Sequence, residues 1–269
     1  MLLFNMSLNN TQNLQNSQLK AGLPAKHMQA LQSGVFRLDK NSGETLATFI
    51  ERFRKENDID QNTPVTYAGR LDPMALGEMI VLVGEDCKRK DEFLGLDKTY
   101  EFEVLFGVKT DTFDMLGLIT DYESYTPTKE EIFAKIEIIK NTKEFAYPPY
   151  SSKPVNGLPL FMHAKAGTLP KEMPKMYGEI HSIVLQNTRI VKIEEVVEKS
   201  LEIIKKVEGD FRQEEILKGW QDFIKEHGQE KCLIGTFEAI VSSGVYIRTL
   251  ATILGGVAYK IDRKKIIPL

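Results

Sequence analysis

The stretch YAGRLDPMALGEMIVLVGE, residues 67–85, decides how the chain is interpreted. Pro73 lacks a backbone donor and biases Asp72 away from helical angles, so we expect the Asp72 carboxylate on a shaped loop. Residues 80–83 are an unbroken apolar run that predicts a buried strand ending at Gly84. A nucleophilic aspartate needs such a rigid turn against a core strand. Asp-Pro is also a common turn initiator, so the local pattern alone favours an ordinary turn.

Composition narrows the function classes. The 269 residues, 42% hydrophobic and 27% charged, are typical of a soluble globular protein with one large domain or two small ones. No apolar run approaches a membrane span, and the first residues are too short for a signal peptide. Cys87 and Cys232 are the only cysteines, and the four histidines are scattered. We therefore expect a reducing, cytoplasmic compartment, no disulfide framework and no metal.

An acidic segment interrupts the charge pattern. Residues 193–230 contain eleven acidic and six basic residues, a net charge of −5, so the rest of the chain carries +2 of the total −3. The pattern of this segment predicts two helices broken near Gly209, inserted into the domain and packed against it through Trp220 and Phe223. An acidic insertion is compatible with an RNA-binding surface elsewhere, so the global charge excludes no such ligand.

Two short basic clusters lie outside this segment, at residues 88–90 and 263–265. Such clusters are usually solvated surface. A ligand contact and a solvated surface are equally compatible with the sequence at both places.

The N-terminal half divides into an arm and regular elements. Residues 1–30 are rich in Asn and Gln and lack periodicity, which predicts a flexible arm. GVFRLDK, residues 34–40, predicts a strand, and residues 98–106 (KTYEFEVLF) alternate as a half-buried strand does. Between them, helical spacing places four apolar residues on one face: Leu46, Phe49, Ile50 and Phe53.

The C-terminal half mixes helices and strands. Thr128 and Glu131 form a capping box that predicts a helix through about residue 140. A Pro-rich loop and a short helical stretch follow, and after the acidic segment a strand, a turn at Gly244 and a helix ending at Gly255 are predicted. Because no strand–helix–strand rhythm recurs, the α+β class is favoured.

Four segments, in this order, resemble the signature blocks of the TruB-type pseudouridine synthases. They are GRLDPMALG (69–77), KTYEFEVLFGVKTDTFDMLG (98–117), PPYSSKPVNGLPLFMHAKAG (148–167) and SSGVYIRTLATILG (242–255). The resemblance implies a pseudouridine synthase fold, with a mixed, mostly antiparallel sheet flanked by helices and an RNA cleft across it. It also implies isomerisation of a uridine, most often uridine 55 in the T-arm of tRNA, without a cofactor.

The resemblance assigns three catalytic residues. Asp72 matches the nucleophile, Arg248 the arginine that pairs with it, and Tyr100 the aromatic that stacks on the flipped uracil. From the residues alone, a core aromatic on an alternating strand is the favoured interpretation of Tyr100. Arg248 is equally a surface arginine at a helix start.

Five further residues are predicted to bind the substrate. Tyr67 stands where the family commonly has His, and Arg70 lies beside the nucleophile. Lys88 is a candidate phosphate contact, and Lys98 shares a strand face with Tyr100, from which it would support either phosphate or the active-site loop. Lys153 precedes Pro154, which occupies the position of a usual Lys.

Other departures leave alternatives open. Ile253 replaces a usual Asp, and the chain ends about twenty residues past Arg248, so we expect no C-terminal PUA domain. We expect residues 31–269 to form the catalytic domain of a monomer that acts on tRNA. A non-catalytic tRNA-binding or folding factor is the second interpretation. A guide-RNA-dependent synthase of the dyskerin type is disfavoured because such relatives rely on the PUA domain.

Overall fold

The computed structural model describes residues 33–267, so the arm predicted for residues 1–30 lies outside the described part of the chain. Helices and strands alternate irregularly in the described part, which confirms the α+β class. The strands are β1 Gly34–Lys40, β2 Val65–Ala68, β3 Leu76–Val83, β4 Asp97–Phe106, β5 Val108–Thr110, β6 Ile119–Tyr122, β7 Glu144–Ala146, β8 Pro154–Val155, β9 Leu158–Pro159, β10 Lys175–Tyr177, β11 Ile180–Lys192, β12 Lys231–Val241 and β13 Gly256–Ile267. The helices are α1 Leu46–Glu56, α2 Lys129–Asn141, α3 Leu160–Lys165, α4 Ile193–Ile204, α5 Gln213–His227 and α6 Ile247–Leu254, and a 3-10 helix covers Gly84–Phe93.

One large sheet organises these elements. Its strand order is β1-β3-β13-β4-β12-β11, and β2 also pairs with β3. Every pairing in this sheet is antiparallel except that of β3 with β13. Helix α6 packs against β13 and β4, and α2 packs against β11 and α6. The predicted mixed, largely antiparallel sheet flanked by helices is confirmed.

Strand β4 divides the interior into two cores. Tyr100, Phe102 and Val104 are buried on one face and belong to a core that also contains apolar residues of α1, α2 and α6. Leu105, on the opposite face, belongs to a second core shared with α4 and α5. This is the alternation expected of a strand, although here both faces are covered towards its end.

The sequence does not predict β13, although this strand lies inside the sheet. Five of its twelve residues are charged, whereas interior strands are usually apolar. The Arg263 side chain is nevertheless buried, and its guanidinium donates to the backbone carbonyls of Glu78 and Arg70. Lys264 pairs with Asp262. The second basic cluster is therefore engaged largely within the protein.

The loop that carries Asp72 is tied to the turn between β1 and α1. The backbone N–H of Gly43 donates to the carbonyl of Pro73 at 2.8 Å, and the Ser42 hydroxyl donates to the carbonyl of Met74 at 2.8 Å. Gly43 has a φ of +88°, which glycine adopts without steric cost. The Asp-Pro turn is thus braced by a second turn that the sequence places 30 residues earlier.

The acidic segment forms the two predicted helices, α4 and α5, with Gly209 in the connection at a φ of +101°. Trp220 is 1% exposed, and its indole N–H donates to the carbonyl of Met115 at 3.1 Å. Phe223 is buried in the same core. The predicted packing through these two aromatic residues is confirmed.

Gly77 offers a test of the junction between β3 and β13. Its φ is +109°, and a Cβ there would collide with the carbonyl oxygen of Arg263. We predict that Gly77→Ala lowers the free energy of unfolding by about 2 kcal/mol or more, through strain and steric overlap. Urea-induced unfolding followed by circular dichroism measures this change.

Gly219→Ala is the matched control, because Gly219 lies within α5 and a Cβ there would meet open space. Alanine is the better helix former, so this variant should gain about 0.5–1 kcal/mol. Equal effects at the two glycines would contradict the assignment of strain to Gly77.

Candidate active site

A cleft of about 630 Å³ opens beside the Asp72 loop, a volume typical of sites for small ligands. Its walls come from segments far apart in the sequence: the Asp72 loop, β4, the loop at 112–116, the Pro-rich loop at 150–152 and the turn at 243–248. Six of the predicted site residues line it: Tyr67, Arg70, Asp72, Lys98, Tyr100 and Arg248.

Asp72 and Arg248 form an ion pair in this cleft. The Nε of Arg248 lies 2.7 Å from Oδ2 of Asp72. The Arg248 side chain is 3% exposed, whereas that of Asp72 is 33% exposed. The carboxylate is therefore accessible from the cleft, and the cation is buried behind it. This placement excludes the alternative of a solvated arginine at the start of α6.

Backbone carbonyls hold the rest of the Arg248 guanidinium. Nη1 donates to the carbonyl of Thr112 at 2.6 Å, and Nη2 donates to that of Tyr150 at 3.1 Å. Burial alone would lower the pKa of Arg248, but the charges of Asp72 and Asp114 outweigh it and raise the pKa above its ordinary value. Arg248 is therefore a fixed cation.

Asp114 is a second carboxylate at this cation and is not among the residues predicted for the site. Its Oδ2 lies 3.7 Å from Nε of Arg248, and its Oδ1 accepts from the Thr112 hydroxyl and the Leu116 N–H, both at 2.9 Å. Burial raises the pKa of Asp114 to about 6, opposed by the charge of Arg248 and reinforced by that of Asp72. The KTDTFDMLG block was the signal that could have identified it.

Tyr100 lies in the wall of the cleft on β4, and its side chain is buried. Lys98 lies on the same face, as predicted. Its ammonium donates to the carbonyls of Leu94 and Leu96 and to the Ser243 hydroxyl at 3.1 Å. Burial lowers the pKa of Lys98 to about 8. These contacts tie Lys98 to residues 94–96 and to the turn at Ser243, and both predicted roles of Lys98 stay predictions.

Of the other four predicted binding residues, two line the cleft and two do not. Tyr67 is half-buried on β2 with Nζ of Lys90 5.5 Å from its ring centroid, and Arg70 is exposed at the cleft. Lys88 is exposed and paired with Glu85, away from the residues that line the cleft. Lys153 also lies outside the lining, with its Nζ 5.4 Å from the centroid of the Tyr147 ring.

The described residues 33–267 contain no group of three or more His, Cys, Asp and Glu side chains placed to hold a metal ion. In the same range, no helix is long and apolar enough to cross a membrane. The cleft brings together the Asp72 carboxylate, the buried Arg248 guanidinium and the Tyr100 ring. That combination suits covalent chemistry on a flat, ring-shaped group.

Comparison with known proteins places the chain in a family. The family model described as TruB family pseudouridylate synthase (N terminal domain) matches residues 58–213, and the chain belongs to this family. That match covers the Asp72 loop, β4 and the Pro-rich loop, which together provide three walls of the cleft.

Two curated relatives illustrate the similarity. The chain is 34% identical over 155 residues to tRNA pseudouridine synthase B of Caldicellulosiruptor saccharolyticus, covering 58% of this chain and 52% of the relative. It is 30% identical over 194 residues to tRNA pseudouridine synthase 4 of Schizosaccharomyces pombe, covering 67% and 47%. The chain thus spans about half the length of these relatives.

Solved structures give a more distant similarity. A crystal structure of a Cbf5-Nop10-Gar1 complex superposes with a TM-score of 0.49 at 14% identity, covering 87% of this chain and 49% of that one.

Asp114 provides a test of the electrostatics. The pKa of Asp114 is about 6 in the folded protein against an ordinary 3.8, so the native state binds this proton more tightly than the unfolded chain. Between these two values, Asp114 is ionised in the unfolded chain but still protonated in the folded protein. The free energy of unfolding therefore falls as the pH rises through this range. Asparagine does not ionise, so the stability of Asp114→Asn relative to wild type should rise between about pH 4 and pH 6. Urea unfolding across that range measures it.

Asp121→Asn is the control. Asp121 is exposed, and its hydrogen bond from Lys109 lowers its pKa. The carboxylate of Asp121 stabilises the fold only once it is ionised. The stability of Asp121→Asn relative to wild type should therefore fall slightly as the pH rises through the same range. A relative stability of Asp114→Asn that stays constant over the range would contradict the raised pKa.

Proposed function

We propose that this protein isomerises a uridine in RNA to pseudouridine, with uridine 55 in the T-arm of tRNA as its target. The observation that carries the proposal is the Asp72 carboxylate, open to the cleft and held at 2.7 Å by the buried Arg248. Membership of the TruB family supports it. Both relatives are named tRNA pseudouridine synthases, which supports tRNA as the substrate.

The target base leaves the RNA structure before reaction. A uridine within a folded loop is inaccessible to a carboxylate at the bottom of a cleft, so it must be flipped out and stacked on an aromatic or apolar surface. Tyr100 provides this surface in the cleft wall. Tyr67 and Arg70, closer to the opening, contact the neighbouring nucleotides.

The reaction exchanges one bond to ribose C1′ for another. Asp72 acts as the nucleophile and holds the intermediate covalently, on C1′ or on the base. The bond between C1′ and N1 breaks, the uracil turns, and C5 bonds to C1′. C5 then loses its proton, N1 gains one, and the carboxylate is released unchanged. Nothing is oxidised or reduced, so the reaction needs no cofactor.

Arg248 orients Asp72 before the reaction. Its Nε donates to Oδ2 of Asp72 at 2.7 Å from a guanidinium that is itself held by backbone carbonyls. Asp114 on the same guanidinium limits the movement of the cation. The pair is thus preorganised when the base arrives.

The wider assignments complete the proposal. Residues 31–269 act as the catalytic domain of a monomer in the cytoplasm, and α4 and α5 are an insertion into it. The free thiols of Cys87 and Cys232 support a reducing compartment. Lys88 and Lys153 bind phosphates of the tRNA outside the cleft.

Asp72→Asn tests the proposal. The amide is a poor nucleophile of nearly the same shape, so pseudouridine formation should fall at least about a thousandfold while tRNA affinity changes little. Single-turnover assays with T-arm RNA and binding measurements give the two quantities. Asp121→Asn, which removes an exposed carboxylate, should behave as wild type.

Full activity of Asp72→Asn would refute the assignment of the nucleophile. A wild-type protein that binds tRNA without forming pseudouridine would instead support the non-catalytic tRNA-binding factor. Mapping pseudouridine in total RNA from cells with and without the gene identifies the target uridine.

A further inference from the structure

The connection between α4 and α5 ends in a residue with unusual backbone geometry. Arg212 has φ +62° and ψ +31°, the left-handed region that residues with a side chain rarely adopt. Its Nη1 donates to Oδ2 of Asp111 at 2.6 Å, and its Cζ lies 4.3 Å from the ring centroid of Tyr150. An observed outlier of this kind points to a specific role.

Both partners of Arg212 adjoin the groups that hold Arg248. The two carbonyls that accept from the Arg248 guanidinium belong to Thr112 and Tyr150. Thr112 directly follows Asp111, and Tyr150 is the residue on which Arg212 stacks. Arg212 therefore contacts both of the segments whose carbonyls fix Arg248.

Helix α5 also holds the far end of the same loop. The Trp220 indole N–H donates to the carbonyl of Met115 at 3.1 Å, in a buried contact. Arg212 and Trp220 thus fix residues 111 and 115. Between these two anchors lie Thr112 and Asp114, which surround Arg248.

We propose that Arg212 is a positioning residue for the active site. Its ion pair with Asp111 and its stacking on Tyr150 hold the two carbonyls in place, and these orient Arg248 against Asp72. The rate measurements below rest on the proposed function, because they require pseudouridine formation. On this proposal, the acidic segment that contains α4 and α5 stabilises the ion pair of Asp72 and Arg248 through Arg212.

The chemistry of arginine suits this role. A planar guanidinium can donate to a carboxylate at its edge and stack on an aromatic ring with its face, whereas an ammonium cannot do both. Arg212 lines the cleft, but it is only 19% exposed and its charge is matched by Asp111. Positioning therefore fits this cation better than a phosphate contact, and the experiment below separates the two roles.

The experiment compares Arg212→Ala, Arg212→Lys and Lys218→Ala. Lys218→Ala removes an equal charge and an exposed ion pair, with Asp222, from helix α5, which begins directly after Arg212. Small displacements of reacting groups cost large factors in rate, so Arg212→Ala should lower the single-turnover rate constant about 10- to 100-fold. Its RNA dissociation constant should stay within about twofold of wild type, as expected for a loss confined to the reacting groups. Arg212→Lys should fall between, and Lys218→Ala should match wild type.

A second measurement is independent of activity. Hydrogen exchange of the Arg248 Nε–H, followed by NMR of protein labelled with ¹⁵N-arginine and assigned by the loss of its signal in Arg248→Lys, reports how firmly the guanidinium is held. Arg212→Ala should accelerate this exchange, and Lys218→Ala should not.

The outcomes separate the two proposals. A wild-type protein without activity would defeat the proposed function, and exchange at Arg248 would still decide the role of Arg212. Weaker RNA binding at an unchanged rate constant would make Arg212 an RNA contact and overturn the positioning role. If Arg212→Ala changes neither the single-turnover rate constant nor the exchange of the Arg248 Nε–H, the positioning role is overturned as well. If Arg212→Ala does not unfold cooperatively, Arg212→Lys decides between these results by the same two measurements.

Discussion

The buried guanidinium of Arg248 is the interaction on which the site depends. A cation taken out of water is costly unless its charge and its donors are matched. Here Asp72 and Asp114 supply the charge, and the carbonyls of Thr112 and Tyr150 accept the remaining hydrogen bonds. These partners come from three separate stretches of the chain. The cation therefore makes the folding of these stretches and the assembly of the site one event.

The Asp72 loop is constrained by a second buried cation as well. The Lys40 ammonium, 1% exposed, donates to carbonyls of the turn at 41–44 and more distantly to that of Pro73. Burial lowers its pKa to about 8, with the charges of Glu44 and Asp72 acting against the shift. Arg248 thus holds the Asp72 side chain, and Lys40 holds the backbone that follows it at Pro73. Preorganisation of this kind is what makes a single carboxylate effective.

The sequence predicts those features whose signal lies within one short segment of the chain. The alternation of β4, the capping box at Thr128 and the apolar run of β3 each contain their own signal, and each is present in the structure. Strand β13 is not predicted because five of its twelve residues are charged, and the buried Arg263 among them is satisfied only by carbonyls of a distant segment. Asp114 lies in a block that the motif resemblance covers, but its proximity to Arg248 exists only in the folded chain. Motif resemblance supplied Arg248 and Tyr100, which periodicity alone would have left ambiguous.

Strand register explains why the acidic helices reach the cleft at all. Ile234 of β12 pairs with Leu105 of β4, and Gly256 of β13 pairs with Phe106. The end of β4 and the start of β12 therefore lie at the same end of the sheet. The loop that follows β4 and the helices that precede β12 must meet there, whatever their charge. The acidic segment connects β11 to β12, and the antiparallel pairing of these strands fixes its position. Through Arg212 and Trp220 it contacts the loop that follows β4.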